Sequence, residues 1–372
     1  MDVLFIIILV LSVLYIGYII FEKLYNDKIR KSFKYVIHVN GIRGKSTTTR
    51  LVDAGFRKLG FKVFSKTTGT FPRIINTKGD EVEVRRLGPA NIREQLRMMR
   101  RAYKEKAEVV VLECMAVNPE LQEICEHKIL HSNVTVITNV REDHIGEMGD
   151  TLEALALALS KTTPDNGVLV IHDEDYIDIF ENSAKHNNSK LSIAKKLDFE
   201  NEIDTFIDNV ENALEVARAL DLDCALFYEG MKEYRRDLGS YKELKIDNTI
   251  FINALSVNDP ESLKINYEEV IKKYDENRIT ILLNSRDDRP SRIIEHIKLL
   301  QELKPKKIIL SGSAKVYIKR KLEKFGFDIS YLKKIEDLKN EDIILGIGNI
   351  AGYGKKILAY FEENGEKIWQ WI

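Results

Sequence analysis

The sequence has few cysteines and almost no net charge, and both features narrow the classes of protein to consider. Its three cysteines, Cys114, Cys125 and Cys224, lack the spacing of a metal site. An odd number of unclustered cysteines argues against a disulfide framework and is typical of a reducing compartment. A formal net charge of -1 provides no field that would attract nucleic acid. With 44% hydrophobic and 31% charged residues, the 372-residue chain is globular and can form one large domain or two.

Charge is also absent from the first long segment of the chain. Residues 3–21, VLFIIILVLSVLYIGYIIF, would span about 28 Å as a helix, close to the thickness of a hydrocarbon core. The positive n-region and small-residue cleavage site of a secretory signal peptide are missing. Basic residues follow the run, so the positive-inside rule predicts a single-pass anchor over residues 1–22 and a cytoplasmic remainder. A buried core helix is the alternative, but the run offers almost no polar face.

Beyond the anchor, short apolar runs alternate with helical patterns. EVVVL at 108–112 is a continuous β-branched run, which is typical of a strand buried on both faces of a sheet. The order of runs predicts an α/β domain over residues 35–236 with a mainly parallel sheet. The predicted elements are strands at 35–39, 62–64, 108–112, 134–138 and 168–171, a hairpin at 74–84, and helices at 46–59 and 91–106.

A second series of the same kind predicts a smaller, Rossmann-like α/β domain over residues 237–372. The boundary is expected in the polar segment 233–247, and there is no solenoid repeat or low-complexity tract. The predicted elements are strands at 249–252, 279–283, 308–310 and 343–347, with helices at 260–273, 290–303, 314–325 and 353–363.

The first glycine of the common phosphate-binding pattern G-x-x-x-x-G-K-[ST] is missing, because Val39 stands in its place. The other parts are present in NGIRGKS, residues 40–46, between a predicted strand and a predicted helix. Gly41 and Gly44 allow the backbone to approach phosphate, Lys45 can reach the β and γ phosphates, and Ser46 can ligate Mg²⁺. The alternative is a strand–turn–helix with a chance Gly-Lys-Ser.

Two further polar groups follow predicted strand ends. Glu113 ends the EVVVL strand, and Asp143-His144 lies in the loop after the strand at 134–138. Ligands bind outside the carboxyl ends of strands in open α/β sheets, so Lys45, Ser46, Glu113 and His144 are expected in one crevice.

Taken in order along the chain, these segments resemble the Mur ligase superfamily. The short loop NGIRGKS is similar to its ATP loop G-T-N-G-K-[ST], and Thr138–His144 is similar to its T-N-x-x-x-D-H motif. Residues 208–213, DNVENA, resemble its H-N-x-x-N-A motif. The match narrows to the poly-γ-glutamate synthases, which also begin with one hydrophobic anchor. The segments that carry this narrower resemblance are NGIRGKSTTTR, KTTGT (66–70), ECMAVNPE (113–120), NVREDHIGEMGDTLE (139–153) and GIGNIAGYG (346–354).

The resemblance implies ATP-dependent amide-bond formation through an acyl phosphate. The substrates would be glutamate and a growing poly-γ-glutamate chain, with Mg²⁺ as the metal and other membrane subunits as export partners. Ser46 and Glu113 would hold one Mg²⁺ and His144 a second, Lys45 would neutralise the γ-phosphate, and Asn212 would contact adenine. The residues expected to bind the nucleotide are Asn40, Gly41, Arg43, Gly44, Lys45, Ser46, Thr47 and Asn212.

The chain departs from the family pattern in three places. The register of the carbamylated lysine of many Mur-type ligases falls near Leu159, two residues from Lys161. Either a loop shift brings Lys161 into place or the carbamate is absent, and we favour its absence. The acidic pair of the family's D-D-Y-A-H-N-P-x-S motif is replaced by Ala254-Leu255, which puts that motif's role in doubt. Arg43, in the nucleotide-binding loop, replaces the usual asparagine, and its side chain has no assigned role. Arg286 and Arg289 are candidate ligands for substrate carboxylates, with a solvated loop of internal Asp–Arg pairs as the alternative. Arg235, before the expected boundary, is a candidate that could swing onto the γ-phosphate on closure.

Two other functions stay open on these residues. One is a related amino-acid or folylpolyglutamate-like ligase with a different acceptor. The other is a membrane-tethered regulatory NTPase whose phosphate loop only switches conformation. Glutamate-dependent ADP release separates the polyglutamate ligase from the regulatory NTPase, because only a ligase couples hydrolysis to an amino acid.

Overall fold

The structure is a computed structural model that describes residues 3–68, 72–86, 88, 90–141, 147–172, 174–203, 205–236, 242–257, 260–286, 290–350 and 352–369. The chain divides into two compact units, Met1–Arg236 and Asp237–Ile372. Asp143, His144 and Arg289 lie outside the described residues.

The chain begins with helix α1, Val3–Lys31. Within the described part of the chain, α1 is the helix long and apolar enough to cross a membrane. Its last turns are anchored to the first unit. Ile29 is buried there, and Arg30 donates hydrogen bonds of 2.8 Å to the carbonyls of Leu130 and His131.

The first unit is built on an eight-stranded sheet of order β4-β3-β2-β5-β1-β6-β7-β8. The six strands from β2 to β8 in this order are parallel, whereas β3 and β4 form an antiparallel hairpin at one edge. The strands are β1 Tyr35–Asn40, β2 Val63–Lys66, β3 Arg73–Ile75, β4 Glu81–Glu83, β5 Val109–Glu113, β6 Val134–Ile137, β7 Val168–Ile171 and β8 Lys190–Ile193.

Helices cover both faces of this sheet, which is why its central strands are apolar throughout. Ile37 and Val39 of β1 pack with α2, α7 and α8, whereas Val36 packs on the opposite face with α3 and a π-helical turn. The helices are α2 Lys45–Lys58, α3 Arg93–Lys104, α4 Pro119–Ile124 with its π-helical continuation Cys125–Leu130, α5 Leu152–Ser160, α6 Ile177–His186, α7 Ile207–Ala219 and α8 Cys224–Lys232.

The second unit has a seven-stranded sheet of order β13-β12-β11-β14-β10-β9-β15. The strands from β13 to β10 are parallel, and β9 and β15 are antiparallel additions at one edge. The strands are β9 Lys242–Ile246, β10 Thr249–Asn253, β11 Ile279–Ser285, β12 Lys307–Gly312, β13 Asp328–Tyr331, β14 Ile343–Gly348 and β15 Glu366–Trp369. The helices are α9 Pro260–Lys273, α10 Pro290–Leu303, α11 Lys315–Leu322 and α12 Tyr353–Asn364, with 3-10 turns at Glu276–Arg278, Glu323–Phe325 and Ile335–Asn340.

The predicted strands and helices of both series are present, and most ends shift by one to three residues. The sequence analysis missed the strands β8, β9, β13 and β15, which are short and partly exposed, and the helices α4 to α8. The missed strands lack the long apolar runs on which the strand predictions relied.

Candidate active site

The loop between β1 and α2 is built around two glycines with positive φ. Gly41 has φ 120° and Gly44 has φ 80°. A Cβ on Gly41 would lie 2.2 Å from Thr138 Oγ1, and one on Gly44 would lie 2.0 Å from Asn209 Oδ1. Only glycine fits at both positions. Gly44 is the N-cap of α2 and has no side chain to cap it, so the start of the helix is suited to binding an anion.

Strand order explains why the polar groups meet at this loop. β1 lies between β5 and β6, with Val39 level with Glu113 and Asn40 level with Ile137. Because the strands are parallel, their carboxyl ends share one edge of the sheet. The loop residues 41–44 therefore lie between the end of β5 and the end of β6.

Glu113 and Ser46 form the centre of this edge. Ser46 Oγ donates a hydrogen bond of 2.7 Å to Glu113 Oε2, and the backbone N–H of Thr68 donates to the same oxygen at 2.7 Å. Glu113 is buried, and its backbone carbonyl accepts from Gln95 Nε2 at 2.9 Å. A carboxylate and a hydroxyl held together are the hard oxygen ligands that Mg²⁺ prefers, so these residues fit the metal.

Lys45 lies over its own loop. Its Nζ donates to the carbonyl of Gly41 at 2.8 Å and to that of Ile42 at 3.1 Å. Lys45 and Glu113 line a cavity of about 210 Å³. Its other lining residues are Asn40, Gly41, Ile42, Thr68, Arg86, Ala90, Cys114, Met115, Ala116, Val117, Gln122, Met148 and Leu159. The cavity is thus bounded by the phosphate-type loop, the residues after β5 and the residues after β2.

Backbone contacts with the segment after β6 hold the loop at Arg43. The N–H of Arg43 donates to Asn139 Oδ1 at 3.0 Å, and its carbonyl accepts from Thr138 Oγ1 at 2.5 Å and Asn139 Nδ2 at 3.1 Å. The Thr-Asn of the T-N-x-x-x-D-H segment therefore positions the loop, and it does so through the backbone of Arg43.

The three asparagines near the loop have different surroundings. Asn40 Nδ2 donates to Gln122 Oε1 at 2.8 Å and Thr162 Oγ1 at 3.1 Å, so its amide is engaged within the protein. Asn212 is fully buried, and its Nδ2 donates to the carbonyl of Thr138 at 3.3 Å. An adenine contact at Asn212 would require a rearrangement. Asn209, which sequence reasoning did not select, abuts Gly44. Thr47 lies half-buried in the first turn of α2.

Two family descriptions match the chain. Residues 39–220 match the Mur ligase middle domain, and residues 240–364 match the poly-gamma-glutamate synthase CapB C-terminal domain. The capsule biosynthesis protein CapB of Bacillus anthracis is 33% identical, over 95% of this chain and 82% of that protein. The PGA synthase CapB of Bacillus subtilis (strain 168) is 32% identical, over 92% of this chain and 94% of that protein. The chain belongs to the CapB family of Mur ligases. The family predicted from the motifs is confirmed.

As a member of the CapB family, the chain is an ATP-dependent amino-acid ligase. Solved structures share its fold at low identity. Folylpolyglutamate synthase of Thermotoga maritima has a TM-score of 0.66 at 14% identity, covering 94% of this chain and 96% of that one. A second similar structure is the bifunctional folylpolyglutamate synthase/dihydrofolate synthase of Yersinia pestis, complexed with AMPPNP and Mn ion. It has a TM-score of 0.67 at 13% identity, and the match covers 90% of this chain and 91% of that one. The predicted fold class is confirmed.

Lys161 of this CapB-family chain does not line the cavity. Its Nζ forms an ion pair of 3.2 Å with Glu123 Oε2, and the side chain is 50% exposed. Leu159, at the register expected for a carbamylated lysine, is buried and lines the cavity. An apolar side chain therefore occupies the wall where the carbamate is expected in the superfamily.

The candidate substrate arginines have separate locations in the CapB-family fold. Arg235 is exposed, and its Nη1 donates to the carbonyl of Gly79 at 3.3 Å, in the turn between β3 and β4. Arg286 follows β11 in the second unit and lines a cavity of about 20 Å³ with Arg292 and His296. Burial lowers the pKa of His296 to about 4. Neither arginine lines the cavity beside Lys45.

Sequence reasoning missed a charged group at that cavity. Lys66, fully buried at the end of β2, forms an ion pair of 2.7 Å with Glu94. Arg86, which lines the cavity, pairs with the same carboxylate at 2.7 Å. Burial acts to raise the pKa of Glu94, but hydrogen bonds from Arg86 and Lys66 outweigh it and lower the pKa to about 2. Lys66 is the first residue of the segment KTTGT, whose family resemblance implies no role for this lysine.

Proposed function

We propose that this ligase polymerises glutamate through γ-linkages by way of an acyl phosphate, at the cytoplasmic face of a membrane. Lys45 and Glu113 line one cavity, and Ser46 is hydrogen-bonded to Glu113; this arrangement is the observation that carries the proposal. The names of the two CapB relatives, a PGA synthase and a capsule biosynthesis protein, support the choice of polymer.

In the first step, a carboxylate oxygen of the growing chain attacks the γ-phosphorus of ATP, and ADP leaves. Lys45 stabilises the negative charge on the γ-phosphate in the transition state, and the start of α2 contributes its partial positive charge. Ser46 and Glu113 would hold Mg²⁺, with a second ion at His144, and the metal supplies charge neutralisation on the phosphates. Gly41 and Gly44 in the loop and Thr47 in the first turn of α2 would contact the nucleotide.

In the second step, the amine of another glutamate attacks the acyl carbon, inorganic phosphate leaves, and the nitrogen loses a proton. Met115 and Val117 give the cavity an apolar lining beside the reacting groups. Arg286 and Arg289 are candidate ligands for carboxylates of the substrate, and Asn212 is a candidate for adenine recognition after rearrangement.

The proposed location of the chain at a membrane is inferred from helix α1. Its apolar residues are exposed and the basic residues at its end favour a cytoplasmic location for the two units. Export subunits in the same membrane would then receive the polymer. We expect the chain to resist alkaline extraction from membranes. We also expect protease to cleave both units in inside-out vesicles only. Release of the intact chain by alkali would contradict the anchor.

The function is tested by ADP release from the full chain, with its membrane partner subunits, as glutamate is added. We expect glutamate-dependent ADP release and a glutamate polymer, and both should be lost in Lys45→Ala. Lys78→Ala is the matched control, because Lys78 is exposed in the turn between β3 and β4. Hydrolysis that does not depend on glutamate, without polymer, would favour the regulatory NTPase instead.

A further inference from the structure

The cavity beside the phosphate-type loop has a second cationic wall that the proposed reaction does not yet use. Arg86 follows β4, is 24% exposed and lines the cavity together with Lys45 and Glu113. Lys45 approaches from the loop after β1, whereas Arg86 belongs to the segment that leads from the β3–β4 hairpin to α3. Two cations from different elements therefore line one cavity.

Arg86 is held rigidly. Its Nε donates to Glu94 Oε2 at 2.7 Å and its Nη2 donates to Glu94 Oε1 at 3.0 Å, which is a two-pronged carboxylate contact. Glu94 is itself buried in the first turn of α3, and its Oε1 forms an ion pair of 2.7 Å with Lys66 Nζ. Among the described residues no hydrogen-bond partner is found for Arg86 Nη1. The contact with Glu94 therefore fixes the guanidinium of Arg86 and leaves its Nη1 able to donate to a ligand.

The charges around Arg86 leave a net positive wall. Lys66 and Arg86 together carry two positive charges, and Glu94 carries one negative charge. Glu113, an acid that itself lines this cavity, is the carboxylate that fits Mg²⁺. With Glu113 matched to a metal ion, the group of Lys66, Glu94 and Arg86 keeps one unmatched positive charge, which favours an anionic ligand.

The other residues that line the cavity indicate the shape of that ligand. Met115, Ala116 and Val117 follow β5 and line the same cavity as Arg86, where they offer apolar contacts. A short methylene chain with a carboxylate at each end matches this pattern, since one carboxylate can face Arg86 while the other faces Lys45. The terminal residue of a γ-linked glutamate chain has this structure, with its α- and γ-carboxylates separated by three carbons.

We propose that Arg86 binds the α-carboxylate of the acceptor's terminal residue and leaves the γ-carboxylate for phosphorylation. Arg86 is thus a specificity residue that selects dicarboxylate chain ends and directs bond formation to the γ position. This inference rests on the proposed glutamate ligation. Glu94 and Lys66 are positioning residues that fix the guanidinium.

The inference is tested by acceptor binding to the full chain in detergent, with Mg²⁺ and a non-hydrolysable ATP analogue present. The two probes are γ-glutamyl-glutamate and γ-glutamyl-γ-aminobutyrate, which lacks only the α-carboxylate of the terminal residue. We expect the wild type to bind the first about 10- to 100-fold more tightly, as for a hydrogen-bonded charged contact. Arg86→Gln should lose this preference by weakening only the first probe, and Arg86→Lys should recover part of it.

Two further measurements separate specificity from structural damage. Arg101→Gln on α3 is the matched control, since Arg101 is 40% exposed and pairs with Glu105. It should keep the wild-type preference, and nucleotide affinity should be unchanged in all variants. Equal weakening of both probes in Arg86→Gln, or an unchanged preference, would overturn the inference. A failure of the proposed function would give a different result: ADP release by the wild type would not respond to either acceptor.

Discussion

Ser46 Oγ and Glu113 Oε2 are joined by a hydrogen bond of 2.7 Å, which links the first turn of α2 to the end of β5. Both oxygens lie at the carboxyl edge of the parallel strands, beside the loop that contains Gly41 and Gly44. Because the Ser46 hydroxyl is already hydrogen-bonded to the buried Glu113 carboxylate, the two oxygens are positioned to bind the same cation. The pair is therefore the feature that a metal-dependent reaction should depend on most.

Replacing Glu113 by Gln should abolish most activity without unfolding the protein. The amide oxygen can still accept from Ser46 Oγ and the Thr68 N–H, but the negative charge is lost. We expect ADP release to fall on the order of 100-fold or more. Binding of Mn²⁺ in the presence of nucleotide, followed by its spin-resonance signal, should weaken. Glu83→Gln, at an exposed position of β4, should behave as wild type. Wild-type Mn²⁺ affinity in Glu113→Gln would remove Glu113 from the metal site.

Gly44 and Gly60 form a matched pair for testing the loop. Both have left-handed backbone, with φ 80° and 88°, at the two ends of α2. A Cβ on Gly60 meets nothing within 4 Å, whereas one on Gly44 would collide with Asn209. Gly60→Ala should cost only backbone strain, about 1 kcal/mol of unfolding free energy. Gly44→Ala should cost more and reduce nucleotide affinity, because Asn209 must move.

Urea unfolding and titration with a fluorescent nucleotide measure these two effects. The unfolding free energy reports the strain and the collision together, and the titration reports the loop alone. If Gly44→Ala bound nucleotide as tightly as Gly60→Ala, the close fit between the loop and α7 would have no role in binding.

Helix α1 should have two parts with different roles, a membrane-spanning part before Glu22 and a part from Glu22 onward that stabilises the first unit. Residues before it are exposed and apolar, whereas Glu22 pairs with Arg93 and Arg100 of α3 and Ile29 is buried in the first unit. A chain that starts at Glu22 should be soluble without detergent and bind nucleotide normally. A chain that starts at Tyr35 should be destabilised by about 2–5 kcal/mol, the usual cost of emptying a site such as that of Ile29. Thermal unfolding of the two forms is the measurement, and equal stability would contradict the division.

Sequence patterns predicted the fold well where runs are long and buried. The strand Val168–Ile171 and the helices Pro260–Lys273 and Pro290–Leu303 were predicted to the residue. Proline at a helix start and a continuous apolar strand are local signals that need no tertiary context. The π-helical turn Cys125–Leu130 follows α4 without a break and buries Glu126 against His38 of β1. That contact joins residues far apart in sequence, so no local pattern could reveal it.

The candidate site was predictable to the same extent. Lys45, Ser46 and Glu113 follow strand ends, and parallel pairing alone brings them together. Arg86 was not predictable in this way, because its position depends on Glu94 and Lys66, which come from a helix and another strand. The expected adenine contact of Asn212 rested on a motif position, and the structure shows that its side chain is fully buried.

His296 should make the stability of the second unit depend on pH. Burial lowers its pKa in the folded chain to about 4, whereas an imidazole in an unfolded chain has a pKa of about 6.5. Between these values the unfolded chain holds a proton that the folded chain does not. Stability contributed by the neutral imidazole is therefore complete above about pH 6.5 and is lost as the pH falls towards 4. The full effect is about 3 kcal/mol of unfolding free energy.

The measurement is the unfolding free energy in urea at several values between pH 4 and pH 7. In His296→Gln the slope over this interval should decrease, whatever the substitution does to stability at pH 7. His186→Gln is the control, since His186 is exposed at the end of α6 and should leave the slope unchanged. An unaltered slope in His296→Gln would mean that the imidazole accepts its proton in the folded state, and hence that the wall it forms with Arg286 and Arg292 admits water.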